Sequence, residues 1–252
     1  MHILVTNDDG VQARGLMVLA EAMRRLGDVS VLAPDKNWSA SGHVKTMSRP
    51  LRLQKATLDD GTPALACDGA PSDCVALALL GVLDQPVDVV VSGINPYPNL
   101  GHDATYSGTV SAAMEAVLGN VPGFAFSIEP PKLPQTRRNY TLAAREAARI
   151  VETLLPETMP ANTLLSTNFP TGDSYKGWQF TRQGQRIYND ALESRADPRG
   201  RPYYWIGGQA PGGVPDEGTD IGALAQGYVS ITPLHLDLTR YDVLERLRKS
   251  AV

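Results

Sequence analysis

The first ten residues, Met1-His2-Ile3-Leu4-Val5-Thr6-Asn7-Asp8-Asp9-Gly10, set an apolar run directly against two adjacent carboxylates and a glycine. Ile3 to Thr6 reads as a buried strand, and Asn7 to Gly10 as the turn that ends it. Like charges side by side repel, and neither is buried without a partner. A divalent cation removes both difficulties, because hard carboxylate oxygens suit Mg²⁺, Mn²⁺ or Ca²⁺. In isolation a surface Asp-Asp-Gly turn is the commoner explanation of such residues. Their place favours a site, since ligands of open α/β sheets gather beyond the carboxyl ends of the strands.

Strands and helices alternate onward from this point. Leu16, Leu19, Ala20, Met23 and Leu26 recur at helical spacing between Ala13 and Leu26, with Gly27 as the stop. Val29 to Ala33 is a second strand, ended by Pro34. Ser72 and Asp73 cap a helix carrying Val75, Leu79, Leu80 and Leu83. Val87 to Val91 is a near-continuous valine strand, as expected where helices cover both faces of a sheet. A helix over Gly108–Leu118, a strand over Phe124–Ile128, a helix over Thr136–Leu155 and a strand over Thr163–Thr167 complete the series. This pattern predicts an α/β fold: a Rossmann-like three-layer core with a mainly parallel sheet over residues 1 to about 168. From about 169 to 252 glycine, proline, arginine and aromatics take over, which predicts an extended C-terminal β-arm and a terminal helix over Tyr241–Leu247 within one single domain. The stretch from Gly172 to Pro215 has too little apolar periodicity to close a core of its own. Oligomerisation through this half, as a homodimer or homotetramer, is the expectation.

Composition narrows the function. Apolar residues make up 42% of the 252 and charged residues 20%, with 23 basic against 27 acidic. No basic block stands out, so duplex nucleic acid is not an expected partner. The N-terminus carries no charged segment leading into a long apolar stretch, and no run approaches the roughly 20 apolar residues of a membrane span. Cys67 and Cys74 read as reduced packing residues of a cytoplasmic protein. The four histidines (His2, His43, His102, His235) are scattered.

Three loops at carboxyl ends of predicted strands hold the unusual residues: Asn7–Gly10, Ala33–Gly42 and Ser92–Asp103. A parallel sheet brings all three to one edge, where two carboxylates, the Ser39 hydroxyl and the Asn95 carboxamide can share a cation. Tyr106-Ser107-Gly108-Thr109-Val110-Ser111 opens a helix, with Ser107 as N-cap, Gly108 open to a ligand and Thr109 adding a hydroxyl. Free N–H groups and the helix dipole make that start an anion site, although simple capping accounts for the same residues. No Gly-x-Gly-x-x-Gly or Walker loop is present, which excludes the usual dinucleotide and P-loop chemistries. A carboxylate-bound metal beside a phosphate cradle points to phosphate esters.

The same loops resemble the SurE family, the stationary-phase survival proteins that act as 5′/3′-nucleotidases. The likeness rests on Asn7-Asp8-Asp9-Gly10, Ala33-Pro34-Asp35 with Ser39, Gly69-Ala70-Pro71-Ser72-Asp73-Cys74-Val75, Ser92-Gly93-Ile94-Asn95 and Tyr106-Ser107-Gly108-Thr109-Val110. Gly218-Thr219-Asp220 and Gly227 to Leu234 extend it almost to the end of the chain. The resemblance implies a metal-dependent phosphatase of nucleoside monophosphates with one Mg²⁺ or Mn²⁺ per subunit. It places metal ligands on Asp8, Asp9, Ser39 and Asn95, and phosphate contacts on Asn99, Ser107, Gly108 and Thr109. It also implies association through the C-terminal half. Two departures stand out. Pro96-Tyr97-Pro98 replaces a loop in which the family usually has a glycine, stiffening the path from Asn95 to Asn99. Trp38 occupies a position where the family often has a polar or basic residue, and it suits either base stacking or packing.

Catalysis is assigned to Asp8 and Asp9. Water or Asp8 itself is the attacking group; an Asp-x-Asp phosphatase would need an acid where this chain has Gly10. His102 is a candidate general acid. The rival from another class is a catalytically silent, metal-dependent nucleotide-binding module. A metal-dependent acyl or glycosyl hydrolase is opposed by the absence of a Gly-x-Ser-x-Gly elbow and by the Ser107 helix start, which suits phosphate better.

Overall fold

The computed structural model describes residues 1–131, 137–155, 160 and 162–250. Its frame is a nine-stranded sheet built from β1 (His2–Thr6), β2 (Asp28–Pro34), β3 (Leu53–Thr57), β4 (Pro63–Cys67), β5 (Val89–Asn95), β6 (Gly123–Ile128), β7 (Thr163–Phe169), β8 (Trp178–Phe180) and β11 (Val229–His235). The spatial order is β3-β4-β2-β1-β5-β6-β7-β11-β8. The pairs along β4-β2-β1-β5-β6-β7 are parallel, while β3 and β11 run antiparallel to β4 and β7.

Alternation within the strands sorts side chains into two cores. Ile3, Val5, Val89 and Val91 pack on one face with Leu16, Leu19 and Met23 of α1 (Arg14–Met23) and Ala147, Ile150 and Val151 of α4 (Tyr140–Leu154). Leu4 and Val90 face the other way, against Cys74 and Val75 of α2 (Pro71–Leu77) and Ala112 and Ala116 of α3 (Gly108–Leu118). Both faces of the central strands are therefore dry, which accounts for their unbroken aliphatic runs.

The chain first winds one way from β1 through β2 to β4, then returns to lay β5 on the other side of β1. β1 and β5 thus flank the point where strand order reverses, and a crevice opens there beyond their carboxyl ends. The Asn7–Gly10 turn and the loop after Asn95 occupy that crevice.

Several local expectations change. β3 and β4 form a hairpin beside β2 that the apolar pattern does not reveal, because Gln54 and Lys55 of β3 are exposed. Ser72 is not the cap of α2: the N-cap is Ala70, Pro71 takes the first turn, and Asp73 accepts a 2.9 Å hydrogen bond from the Ala70 N–H. The Ser72 hydroxyl instead donates to the Val44 carbonyl. Regular helix ends at Leu77, and a wide turn over Ala78–Val82 leaves Leu80 83% exposed. α1 ends at Met23 with Arg24 as its C-cap, short of Gly27. α4 starts after Asn139, whose side chain accepts from the Leu142 N–H at 3.0 Å; Thr136 lies outside the described residues.

The C-terminal third divides in two. β8, α5 (Asp220–Ala225) and β11 return to the main sheet and its flank, while β9 (Arg186–Ala196) and β10 (Pro202–Gly213) form a separate two-stranded arm. That arm exposes Leu192, Tyr204, Trp205 and Ile206. α6 (Tyr241–Ser250) ends the description and buries none of its residues.

Candidate active site

Asn7 shapes the first loop. Its amide nitrogen donates to the Gly10 carbonyl at 3.0 Å and its carbonyl accepts from the Gly10 N–H at 3.2 Å, a reciprocal clamp around Asp8 and Asp9. Gly10 sits at φ +105°, a conformation that a side chain would strain. Asp8 is buried and Asp9 half-buried.

Asp8 faces the start of α3. Its Oδ1 accepts from Thr109 Oγ1 at 2.5 Å, and the backbone N–H groups of Thr109 and Gly108 add to the field that favours its charge. Burial nevertheless dominates and raises its pKa above the ordinary aspartate value. Asp9 is pushed up to about 7, first by burial and then by the charge on Asp8, with Arg138 pulling it down. A Cβ on Gly108 would lie 2.6 Å from Asp8 Cβ and 3.0 Å from Oδ2, so only glycine lets helix and carboxylate meet this closely. Ser107 caps the helix, accepting from the Val110 N–H at 3.1 Å. The helix start read in the sequence as an anion cradle is thus turned towards Asp8, with Thr109 as its donor.

The other loops are tied to this turn. The Trp38 N–H donates to the Asp8 carbonyl at 2.7 Å, and the Gly42 N–H to the Tyr106 carbonyl at 2.9 Å, so the segment between spans the crevice. Ser39 is exposed on that bridge, its N–H held by Asn37 Oδ1 at 2.7 Å. Farther along, Lys45 Nζ and His43 Nε2 each lie 2.8 Å from the buried carboxylate of Glu115, fastening the same segment to α3. Trp38 is half-buried with Lys36 Nζ 5.5 Å from its ring centre, and its indole N–H has no partner among the described residues.

Asn95 is buried at the end of β5, and its amide nitrogen donates to the Tyr97 carbonyl at 2.5 Å. Its side-chain oxygen has no hydrogen-bond partner among the described residues. Asn99 is pinned twice: its N–H donates to Asn168 Oδ1 and its Nδ2 to Ser127 Oγ, both at 2.8 Å. His102 is exposed on the short turn Gly101–Thr105, and its ring has no hydrogen-bond partner among the described residues. The root of the arm is fastened to that turn, since Arg186 Nε and Tyr188 Oη donate to Asp103 at 2.6 and 2.8 Å.

Tyr97, singled out in the sequence only as part of a stiffened loop, and Arg138, which the sequence did not mark, belong to this neighbourhood. The Arg138 guanidinium carbon lies 5.0 Å from the Tyr97 ring centre, and its charge acts on Asp9 and on Tyr140. The available signal was weak: Arg137-Arg138-Asn139 is a basic pair before a capping residue, at the start of a helix that follows a central strand.

The donor set suits a hard cation. Two adjacent carboxylates both carry a pKa raised by burial, and at the end of β5 the Asn95 carboxamide has its nitrogen engaged by Tyr97, with no partner for its oxygen among the described residues. No group of three or more His, Cys, Asp or Glu gathers among the described residues, so a nitrogen- and sulfur-rich site of the zinc type does not fit.

The chain matches the family model described as "Survival protein SurE" over residues 3–190. It is 51% identical over 249 residues to the 5′-nucleotidase SurE of Herpetosiphon aurantiacus, covering 98% of this chain and 97% of that one. It is 49% identical over 251 residues to the 5′-nucleotidase SurE of Chloroflexus aggregans, covering 99% and 98%. Among solved structures, the SurE protein from Aquifex aeolicus superposes with a TM-score of 0.82 at 40% identity, covering all of both chains.

Proposed function

The chain belongs to the SurE family, and on that footing we propose that it is a divalent-metal-dependent 5′-nucleotidase, hydrolysing nucleoside 5′-monophosphates, and 3′-monophosphates as further substrates, to nucleoside and inorganic phosphate. One Mg²⁺ or Mn²⁺ per subunit, held by Asp8 and Asp9 with Ser39 and Asn95, would polarise a phosphoryl oxygen and offset its charge. Asn99, Ser107, Gly108 and Thr109 would contact the phosphate at the edge of α3, beside Asp8. In the hydrolysis the attacking water's oxygen bonds to phosphorus as the ester P–O bond breaks; the water gives up one proton and the departing nucleoside oxygen takes one, leaving nucleoside and inorganic phosphate. His102, exposed on the adjoining turn, is the candidate donor.

The observation that carries this reading is the adjacent pair Asp8 and Asp9 at the strand-order reversal, held against the amino end of a helix by Thr109. A phosphate-release assay across a panel of nucleoside monophosphates, with Mn²⁺ and with EDTA, tests it. Release that needs the metal supports the nucleotidase, whereas nucleotide binding without release marks the silent module.

We also assign the protein to the cytoplasm, in keeping with two unpaired, buried cysteines. Among the described residues no helix is long and apolar enough to cross a membrane. Self-association as a homodimer or homotetramer through the C-terminal half follows from the exposed apolar residues of the β9–β10 arm. The single-domain organisation proposed from the sequence accords with β8 and β11 joining the same sheet as β1.

A further inference from the structure

Charge bookkeeping at the crevice leaves a gap. Asp8 and Asp9 together match one divalent cation, and the donors at the start of α3, which also face Asp8, carry no formal charge. A phosphate monoester arrives close to doubly negative. Something else positive has to meet it.

We propose that Arg138, braced across the ring of Tyr97, is the cation that grips the substrate phosphate. Its place is set by neighbours on both sides. Arg138 immediately precedes Asn139, whose side chain caps α4 and also donates to Asp173 Oδ1 at 3.2 Å. Tyr97 lies between two prolines, with its carbonyl held by the Asn95 amide. The guanidinium stacks on that ring at 5.0 Å, and stacking leaves its in-plane N–H donors pointing away from the ring. Among the described residues Arg138 makes no hydrogen bond, and its buried Nε has no partner there. Its charge acts on Asp9 without a direct ion pair, so a ligand's oxygens can enter beside both. A planar fork with free donors is the side chain best matched to two phosphoryl oxygens. The proline-flanked loop thus has a use: it supplies the stacking surface that aims the fork.

This inference rests on the nucleotidase reading, and its test separates the two. Inorganic phosphate, the expected product, is titrated into the Mn²⁺-loaded protein by calorimetry and used as a competitive inhibitor of phosphate release. Arg138→Gln is expected to weaken phosphate binding at least tenfold and to lower kcat/KM by about 10²–10³, the usual loss for one charge-stabilising donor. Its Mn²⁺ affinity stays equal or tightens, because a positive charge leaves the site. Arg138→Lys recovers only part, lacking the fork, and added guanidinium partly rescues Arg138→Ala. Tyr97→Leu loses several-fold, whereas Tyr97→Phe behaves as wild type. Unchanged phosphate affinity in Arg138→Gln would overturn the assignment, including where Mn²⁺ affinity alone changes, since Arg138 would then only balance Asp9. If wild type released no phosphate from any nucleotide, the nucleotidase reading would fail, while the calorimetric comparison would still decide the role of Arg138.

Discussion

Replacing Asp9 by asparagine should move stability in opposite directions with and without metal. In EDTA the folded protein holds Asp9 at a pKa of about 7, against an ordinary 3.8, because the carboxylate is buried beside Asp8. An acid whose folded pKa is raised destabilises the fold in its charged form. The penalty is absent below pH 3.8, grows between 3.8 and about 7, and is complete above 7. About three units correspond to a ceiling of about 4 kcal/mol, and partial solvent access reduces this to about 1–2 kcal/mol. For a chain of this size that is a rise in Tm of about 3–6 °C for Asp9→Asn at pH 8 in EDTA. In saturating Mn²⁺ the order reverses, since a ligand at one hundred times its Kd stabilises wild type by about 2.7 kcal/mol and the variant has lost a ligand. Scanning calorimetry at pH 5 and pH 8, with EDTA and with Mn²⁺, reads all four conditions. A variant no more stable than wild type in EDTA at pH 8, or a wild type whose Tm ignores Mn²⁺, would refute the argument.

Thr109→Val keeps the volume and removes the donor to Asp8, so kcat/KM should fall at least tenfold while circular dichroism is unchanged. An unaffected rate would reduce Thr109 to helix packing. Gly108→Ala would ordinarily gain about 1 kcal/mol of helix propensity, yet its Cβ would meet Asp8 at 2.6 Å. Lower Tm and lost phosphate release are therefore expected together, and a stabilised, active variant would contradict the close approach. Residues 190–208 of the arm can be excised and Asn189 joined to Gln209, its cross-strand partner, by a two-residue glycine turn that spares Arg186 and Tyr188. Light scattering should show wild type as a dimer or tetramer and the excised variant as a monomer, while an oligomer that survives excision would place the interface elsewhere and a monomeric wild type would contradict the proposed association.

The legible parts of this fold were those with local signals. Strands β1 and β5, buried on both faces, read directly as aliphatic runs, and the charge conflict of Asp8 with Asp9 marked the turn after β1. β3 was silent because Gln54 and Lys55 face solvent on an edge strand. Ser72 looked like a cap, but the proline before it already occupied the first turn of the helix. β8 and β11 were taken into an extended arm, since pairing with β7 is a long-range contact that leaves no periodicity behind. Arg138 illustrates the same limit at the site. It stands in an unremarkable basic pair, and only the reversal of strand order brings the start of α4 over Tyr97 and Asp9. Thr109 stands out in the sequence as a candidate phosphate contact, but its bond to Asp8 depends on how closely Gly108 lets the helix approach.

Phosphate release by Asp8→Asn at saturating Mn²⁺ addresses the central claim most directly, that the paired carboxylates at the strand-order reversal make this chain a metal-dependent nucleotidase. Asparagine keeps the shape beside Thr109 and Gly108 and removes only the charge. The variant should stay folded and release phosphate from nucleoside 5′-monophosphates no faster than EDTA-treated wild type. Turnover close to that of the Mn²⁺-loaded wild type would contradict the account.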